Sequence, residues 1–327
     1  MTQLTTDIDL AVAALRRGGL VAFPTETVYG LGADAADGTA VSAIFAAKGR
    51  PSGHPLIVHL ASVDDVADWA HLDGPATAMI DKVAAAFWPG PLTVVVPRSD
   101  RVAAETVGGR DTVGIRVPSH PVAQELLRAF GGGIAAPSAN RFGHVSPTTA
   151  SHVVDDLGGV VDVVLDGGPT EVGIESTILE LVGGPPTLLR PGAVTADDIE
   201  RAVGMGVSVA DDVGGEARAS GMLRSHYAPA AAVQLVAPAA LEAELARAEV
   251  AAAGSAVGVI VPETVTVDHE NLWSLPADAA GYATRLYSAL READAAGVTQ
   301  LLVAPPASGP LLRAVLDRLT KAAAPRR

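Results

Sequence analysis

Short, strongly apolar runs cut off by proline, glycine or a polar cluster constrain this chain more than any other feature. Leu20-Val21-Ala22-Phe23 stops at Pro24, and Leu92-Thr93-Val94-Val95-Val96 follows the turn Pro89-Gly90-Pro91. Thr112 to Val117, Ile134 to Ala136 and Val161 to Leu165 have the same character. Runs that brief and apolar read as buried strands. Between them lie helical patterns. Residues 7–18 place Ile8, Val12 and Leu15 on one face and stop at Gly18-Gly19, and Thr39 to Lys48 turns Val41, Ile44 and Phe45 inward. Residues 62–70, 74–86, Pro121 to Phe130 and 148–157 also read as helices. Gly173 to Glu180 begins as a loop and becomes a strand, Leu188 to Gly192 closes a hairpin-like pair, and Thr195 caps a helix to Val203. Strands joined partly by helices and partly by hairpins predict an α/β fold with a curved, mixed sheet.

Further on the pattern becomes regular: strand 233–236, helix 240–252, strand 257–262, helix 278–295, strand 299–304, helix 308–323. That alternation predicts a small parallel, Rossmann-like βαβ domain. It lacks a Gly-x-Gly-x-x-Gly turn, so no dinucleotide is expected there. A chain of 327 residues also exceeds the usual size of one domain. The expected organisation is an N-terminal domain over 1–205, a linker over 206–230 and a smaller C-terminal domain over 231–327.

Composition excludes several classes. With no cysteine there are no disulfides, thiolate metal sites or cysteine nucleophile. No apolar run reaches the length of a membrane span, and no basic-then-apolar leader opens the chain. A soluble cytoplasmic protein is expected. The net charge of −14 argues against holding nucleic acid by general phosphate neutralisation, although a local basic cleft is compatible with it.

Against that acidity, Lys48-Gly49-Arg50-Pro51-Ser52-Gly53-His54-Pro55-Leu56-Ile57-Val58-His59 stands out. Two cations flank a glycine at the end of a helix, and a loop then leads into an apolar strand. Arg50 offers a planar fork for phosphate or carboxylate and Lys48 a compact charge. The same pair would also sit favourably at a solvated helix C-terminus. Other polar groups interrupt the strands: Thr25, Thr27 and Tyr29; Thr112 and Arg116; Ser138, Asn140 and Ser146; Glu175, Ser176 and Thr177; Arg190; and His226 with Tyr227. Most fall at strand ends, where open α/β sheets place ligands. Cations and hydroxyls with few paired carboxylates suit a polyphosphate and a second anion better than sugar or peptide hydrolysis. There is no Walker loop, Ser138 lacks the glycines of a nucleophile elbow, and His54 and His59 find no third ligand at helical spacing for zinc. Each histidine equally suits a structural hydrogen-bonding role, Ser138 and Ser146 suit turns or caps, and Asn140 suits an Asx turn.

Taken in order, Pro-Thr-Glu-Thr-Val-Tyr-Gly-Leu-Gly from Pro24, Lys-Gly-Arg-Pro with His-Pro-Leu-Ile-Val-His, Phe-Trp-Pro-Gly-Pro-Leu-Thr from Phe87, Gly-Ile-Arg-Val-Pro, Ala-Pro-Ser-Ala-Asn, Ser-Pro-Thr, Glu-Ser-Thr and Arg-Pro-Gly resemble the threonylcarbamoyl-AMP synthase family (YrdC/YwlC-like). The resemblance covers about residues 7–204, and His226-Tyr227-Ala228-Pro229 with the domain behind it is similar to the family's two-domain branch. Two departures are His54, where many relatives carry Asn, and a linker reading Ser-Gly-Met-Leu-Arg-Ser-His-Tyr in place of Ser-Pro-Gly-Met with a basic residue soon after.

The resemblance implies a YrdC-like domain with a concave pocket. It also implies synthesis of L-threonylcarbamoyladenylate and pyrophosphate from L-threonine, bicarbonate or CO2, and ATP, with Mg2+ accompanying the nucleotide. By that pattern Lys48 and Arg50 are the catalytic cations. Arg50, His54, Thr112, Ser138, Ser146, Arg190 and Tyr227 would contact ATP, and Thr27, His59, Arg116 and Ser176 would hold threonine. The adenylate would pass to a downstream threonylcarbamoyl-transferase complex acting on tRNA, without stable tRNA binding by this chain. An RNA-binding module using the concave sheet is the alternative, opposed by the acidity and the scarcity of aromatic platforms. A carbamoyl-phosphate-using maturation protein shares the domain type but needs cysteine-based zinc modules.

Overall fold

The computed structural model describes residues 1–72, 75–210, 226–252 and 256–325; most of the expected linker, 211–225, lies outside the described residues. By their contacts the residues fall into two units. One comprises Met1–Phe142, Pro147–Glu171 and Glu175–Met222, the other Gly143–Ser146, Val172–Ile174 and Leu223–Arg327.

In the first unit the elements run β1 (Gln3–Thr5), α1 (Ile8–Arg16), β2 (Val21–Phe23), β3 (Gly30–Asp34), α2 (Gly38–Lys48), β4 (Ile57–His59), α3 (Val66–Trp69) and α4 (Pro75–Phe87). Then come β5 (Leu92–Pro97), α5 (Ala104–Val107), β6 (Thr112–Arg116), α6 (Pro121–Phe130), β7 (Ile134–Ala135), α7 (Ala150–Leu157) and β8 (Val163–Leu165). The hairpin β9 (Thr177–Glu180) and β10 (Thr187–Arg190), the helix α8 (Ala196–Val203) and β11 (Ser208–Val209) complete it. Local chemistry explains the helix ends. Asp7 and Asp37 accept backbone N–H bonds as N-caps of α1 and α2, and Thr195 with Asp198 forms a capping box on α8.

These strands form one mixed sheet in the order β1-β8-β2-β3-β7-β4-β6-β5-β9-β10-β11. The helix expected over 62–70 is confined to α3, and β11 lies inside the stretch expected to be linker, parallel to β10.

Register places the site. Val21 and Phe23 pack with residues of α1 and α6 in one apolar cluster that also contains Ile134. His59 lies opposite Ile134, and Arg116 opposite His59. Val95 lies opposite Gly114, Thr93 opposite Ile178, and Arg190 opposite Ile178. Side chains alternate along each strand, so this one face carries His59, Thr112, Arg116, Thr93, Ser176 and Arg190 beyond β7. Its apolar content there shrinks to Val95, Ile178 and Leu189, with Ile57 and Ala210 packed against them. The opposite face remains apolar throughout, with Ala22, Leu31, Val58, Ile115, Val94 and Leu179 in the main core.

The second unit holds β12 (Ala232–Leu235), α9 (Leu241–Ala252), β13 (Val257–Pro262), β14 (Leu272–Leu275), α10 (Ala279–Ala295), β15 (Gln300–Val303) and α11 (Leu312–Ala323). Its sheet, β12-β15-β13-β14, is parallel throughout, as the βαβ alternation predicts. No helix among the described residues is long and apolar enough to cross a membrane.

Candidate active site

Two groups of polar side chains gather in the first unit, one on the sheet face and one in loops. On the face, Arg116 ends β6 and is buried. It donates from Nη1 to Thr27 Oγ1 at 2.9 Å and from Nε to the Gly90 carbonyl at 3.2 Å. Its Nη2 lies 2.8 Å from Glu26 Oε1, an ion pair that is off the hydrogen-bond direction. Next across the sheet, the Thr93 and Ser176 hydroxyls share a hydrogen bond of 2.8 Å. Arg190 donates to the Ser176 carbonyl at 2.9 Å and to Ser176 Oγ at 3.1 Å. Arg190 and Ser176, expected on the nucleotide and the threonine respectively, are therefore direct partners.

His59 sits with its ring edge-on to Phe23, the centroids 5.9 Å apart, and its Nδ1 lies 3.2 Å from the Ile57 carbonyl. Burial, aided by the Arg116 charge, lowers its pKa to about 3, so it is a neutral imidazole at physiological pH. Thr112 lies on the same face as Arg116 four residues back along β6, a separation of about 13 Å, with only Gly114 between them on that face.

The loop group forms around the end of α2. The helix closes on Gly49 in the left-handed conformation at φ +62°, and the Arg50 N–H returns to the Phe45 carbonyl at 3.0 Å. Lys48 precedes this reversal and Arg50 follows it, and both are buried. Lys48 Nζ donates to the Ser138 carbonyl at 2.5 Å and to the Asn140 carbonyl. Ser138 Oγ donates to Asn140 Oδ1 at 2.5 Å. Phe142 returns its N–H to the Lys48 carbonyl at 2.9 Å. The guanidinium of Arg50 lies over the Phe142 ring, 5.8 Å from its centroid, and donates to the Pro55 carbonyl at 3.2 Å. The His54 ring meets the same phenyl edge-on at 5.6 Å. Lys48 is pushed well below the usual lysine pKa by burial first and the Arg50 charge second, while Asp156 pulls the other way. Burial, then Arg50 and Arg110, lowers His54 as well.

A backbone bridge between Gly30 and Ser138 ties the Thr25–Tyr29 loop to the Ser138–Asn140 loop, with the Ala139 N–H on the Tyr29 carbonyl at 2.8 Å. A cleft of about 300 Å³ elsewhere in this unit, walled by Leu60, Trp69, Arg101 and Leu127, is lined by none of these residues.

Ser146 and Tyr227 both belong to the second unit. There Tyr227 is buried at φ +61°, stacked on Tyr287 with centroids 5.9 Å apart, and faced by the Arg318 guanidinium at 5.2 Å. In the same unit Arg291 donates to the Val145 carbonyl at 2.5 Å, and the Ala228 N–H meets the Gly143 carbonyl at 3.0 Å.

Residues 13–192 match a family model that covers Sua5, YciO and YrdC proteins and is described as "Telomere recombination", and residues 194–324 match one described as "Threonylcarbamoyl-AMP synthase, C-terminal domain". The threonylcarbamoyl-AMP synthase of Pyrococcus abyssi is 41% identical over 323 residues, 96% of this chain and 93% of that protein. The Bacillus subtilis enzyme of the same name is 40% identical over 332 residues, covering 98% and 94%. The chain belongs to the threonylcarbamoyl-AMP synthase family. A solved structure of the P. abyssi family member Sua5 in complex with L-threonine superposes with a TM-score of 0.90 at 39% identity, covering 99% of this chain and 97% of that one.

Glu26, Thr93 and Phe142 contact candidate site side chains although residue pattern alone gave them no role, and Thr25, read among the strand-end hydroxyls, bonds Thr27. Glu26 had one readable signal, a carboxylate set between two threonines in an otherwise apolar and hydroxylic segment.

Proposed function

We propose that this protein is an L-threonylcarbamoyladenylate synthase, joining L-threonine, bicarbonate or CO2, and ATP into the adenylate with release of pyrophosphate. The observation that carries the reading is the polar stripe on one sheet face, His59, Arg116, Thr93, Ser176 and Arg190, in a chain similar over nearly its whole length to enzymes of that name. Threonine would lie on the stripe. Arg116 would meet its carboxylate, with Thr27, His59 and Ser176 around its polar ends. Lys48 and Arg50 would face the triphosphate, supported by His54, Thr112, Ser138 and Arg190, and Ser146 and Tyr227 are further proposed nucleotide contacts.

The chemistry asks for alignment and charge neutralisation more than for a strong base. Once threonine carbamate has formed, its oxygen is already an anion that can attack the α-phosphorus, and pyrophosphate leaves. Fixed cations near the leaving group lower that barrier. Among the described residues no group of three or more His, Asp or Glu could hold a metal. By the family resemblance the substrate would enter as MgATP, and the ion would share with Lys48 and Arg50 the neutralisation of phosphate charge.

In this reading 1–205 is the catalytic domain, 206–230 the linker and 231–327 the C-terminal domain. The protein works in the cytoplasm and hands the adenylate to a threonylcarbamoyl-transferase complex that modifies tRNA. Purified protein given ATP, threonine and bicarbonate should release pyrophosphate, and leaving out threonine should abolish the release. Pyrophosphate formation that is indifferent to threonine would reject the reading.

A further inference from the structure

Glu26 is buried, 4% exposed, beside an arginine that is itself 3% exposed. Its Oε1 lies 2.8 Å from Arg116 Nη2, and its Oε2 accepts the Ser119 N–H at 3.2 Å. Burial alone would raise its pKa, but the Arg116 charge and the hydrogen bonds outweigh burial and hold the carboxyl below the ordinary value. It is an anion at neutral pH, suited to balance the Arg116 charge.

The hydrogen bonds around Arg116 have a fixed polarity. Thr25 Oγ1 spends its single proton on the Val28 carbonyl at 2.7 Å. In the 2.8 Å contact between the two hydroxyls, Thr27 must then be the donor. Protons therefore point from Arg116 to Thr27, from Thr27 to Thr25, and from Thr25 to Val28. Thr27 keeps a lone pair for a ligand but no proton. With one N–H given to Gly90 and one to Thr27, Arg116 retains the Nη2 edge beside Glu26 and one Nη1 proton.

We infer that Glu26 is a positioning residue for threonine recognition, fixing the Arg116 guanidinium and compensating its charge while the site is empty. A buried arginine without a counter-charge is strongly disfavoured, and one without a second anchor can rotate its fork away from a carboxylate. The inference rests on reading Arg116 as the partner of threonine's carboxylate in the synthase.

Glu26→Gln tests it, because the amide is isosteric and can keep the Ser119 hydrogen bond through its oxygen but carries no charge to set against Arg116. Pyrophosphate release gives KM for threonine and for ATP, and calorimetry gives threonine affinity without turnover. The threonine KM and Kd should both rise about tenfold or more, with the ATP KM unchanged. Glu26→Asp, which keeps the charge but withdraws it by a methylene, should fall between. A purely structural role would lower the amount of active enzyme and leave both KM values alone. That result, or an equal rise in both KM values, would overturn the inference.

Should Glu26→Gln fail to fold, Glu26→Asp and Thr25→Val decide. Thr25→Val removes the acceptor that orients Thr27 and should also raise the threonine KM, and wild-type values in both variants would overturn the inference. Wild-type protein that binds threonine yet releases no pyrophosphate defeats the synthase reading while calorimetry still judges Glu26. Failure to bind threonine at all defeats both.

Discussion

The sheet face and the loop group treat their cations in opposite ways. On the face, Arg116 meets a carboxylate that offsets its charge. In the loops, Lys48 rests on two backbone carbonyls, which stabilise an ammonium through their dipoles without cancelling its charge. Its pKa is depressed, first by burial and then by Arg50 nearby. A neutralised pocket suits a ligand of single charge such as an amino-acid carboxylate. A pocket that brings two basic side chains close together, one of them resting on backbone carbonyls, suits a more highly charged anion, as a triphosphate would be. The difference suits Arg116 and the loop cations to anions of different charge, and under the proposed function variants of Arg116 and of the loop group should disturb different substrates.

The largest effect is expected in the loop group. Arg50→Ala removes a guanidinium proposed to face the triphosphate and should lower kcat by about 100-fold to 1,000-fold, with far-UV circular dichroism unchanged. Wild-type turnover in that variant would break the comparison. On the face, Arg116→Lys keeps the charge but loses the fork that reaches Thr27, Gly90 and Glu26 together. The threonine KM should rise by about tenfold to 100-fold with the ATP KM steady. If Arg116→Lys weakened ATP instead, the two groups would not be separate in function.

A smaller effect concerns stability. His59 titrates near 3 when folded and near 6.5 when unfolded. The unfolded chain thus binds the extra proton between those values, and stability falls as pH drops through that window, by up to about 1.4 kcal/mol per pH unit. Burial lowers His54 and His120 as well, so they push in the same direction. The comparison that isolates His59 is urea unfolding of wild type and His59→Asn at pH 7 and pH 5. The variant should lose less stability between the two, and equal losses would place the acid sensitivity elsewhere.

Much of this architecture is legible in the residues because each element carries its own signals. The helix Pro121–Phe130 opens with proline at its first turn and closes on glycine, and reading and structure agree to the residue. Strand Gly30–Asp34 was illegible because its two glycines read as loop. They are there for packing: a Cβ on Gly32 would come within 2.7 Å of Ile134 Cγ2 and 2.9 Å of Phe23. β14 was missed because it is a half-exposed edge strand following a polar stretch. The candidate side chains could be picked out one by one, but not how they group. That Arg116 lies beside His59, and that Ser176 is bound by Arg190, depends on strand register and on a hairpin bulge near Arg190. The hydrophobic pattern constrains which face a strand buries, but which distant strands become neighbours, as β4 with β6 and β5 with β9 do, is decided by tertiary packing.

The smallest effect tests how the loop group is built. Gly49 has φ +62° with nothing within 4 Å of where a Cβ would stand, so only backbone strain opposes a side chain there. Gly49→Ala should cost about 1 kcal/mol, a fall in Tm of about two to four degrees for a unit of this size. The strain falls between Lys48 and Arg50, and relaxing it would rotate the two cations relative to each other. The ATP KM should therefore rise by more than the stability loss explains, while the threonine KM stays put, because Arg116 is anchored from Thr27, Gly90 and Glu26 on other segments. A variant that lost stability alone would show that the loop cations are placed by Ser138 and Asn140, with the turn at Gly49 serving only to end the helix.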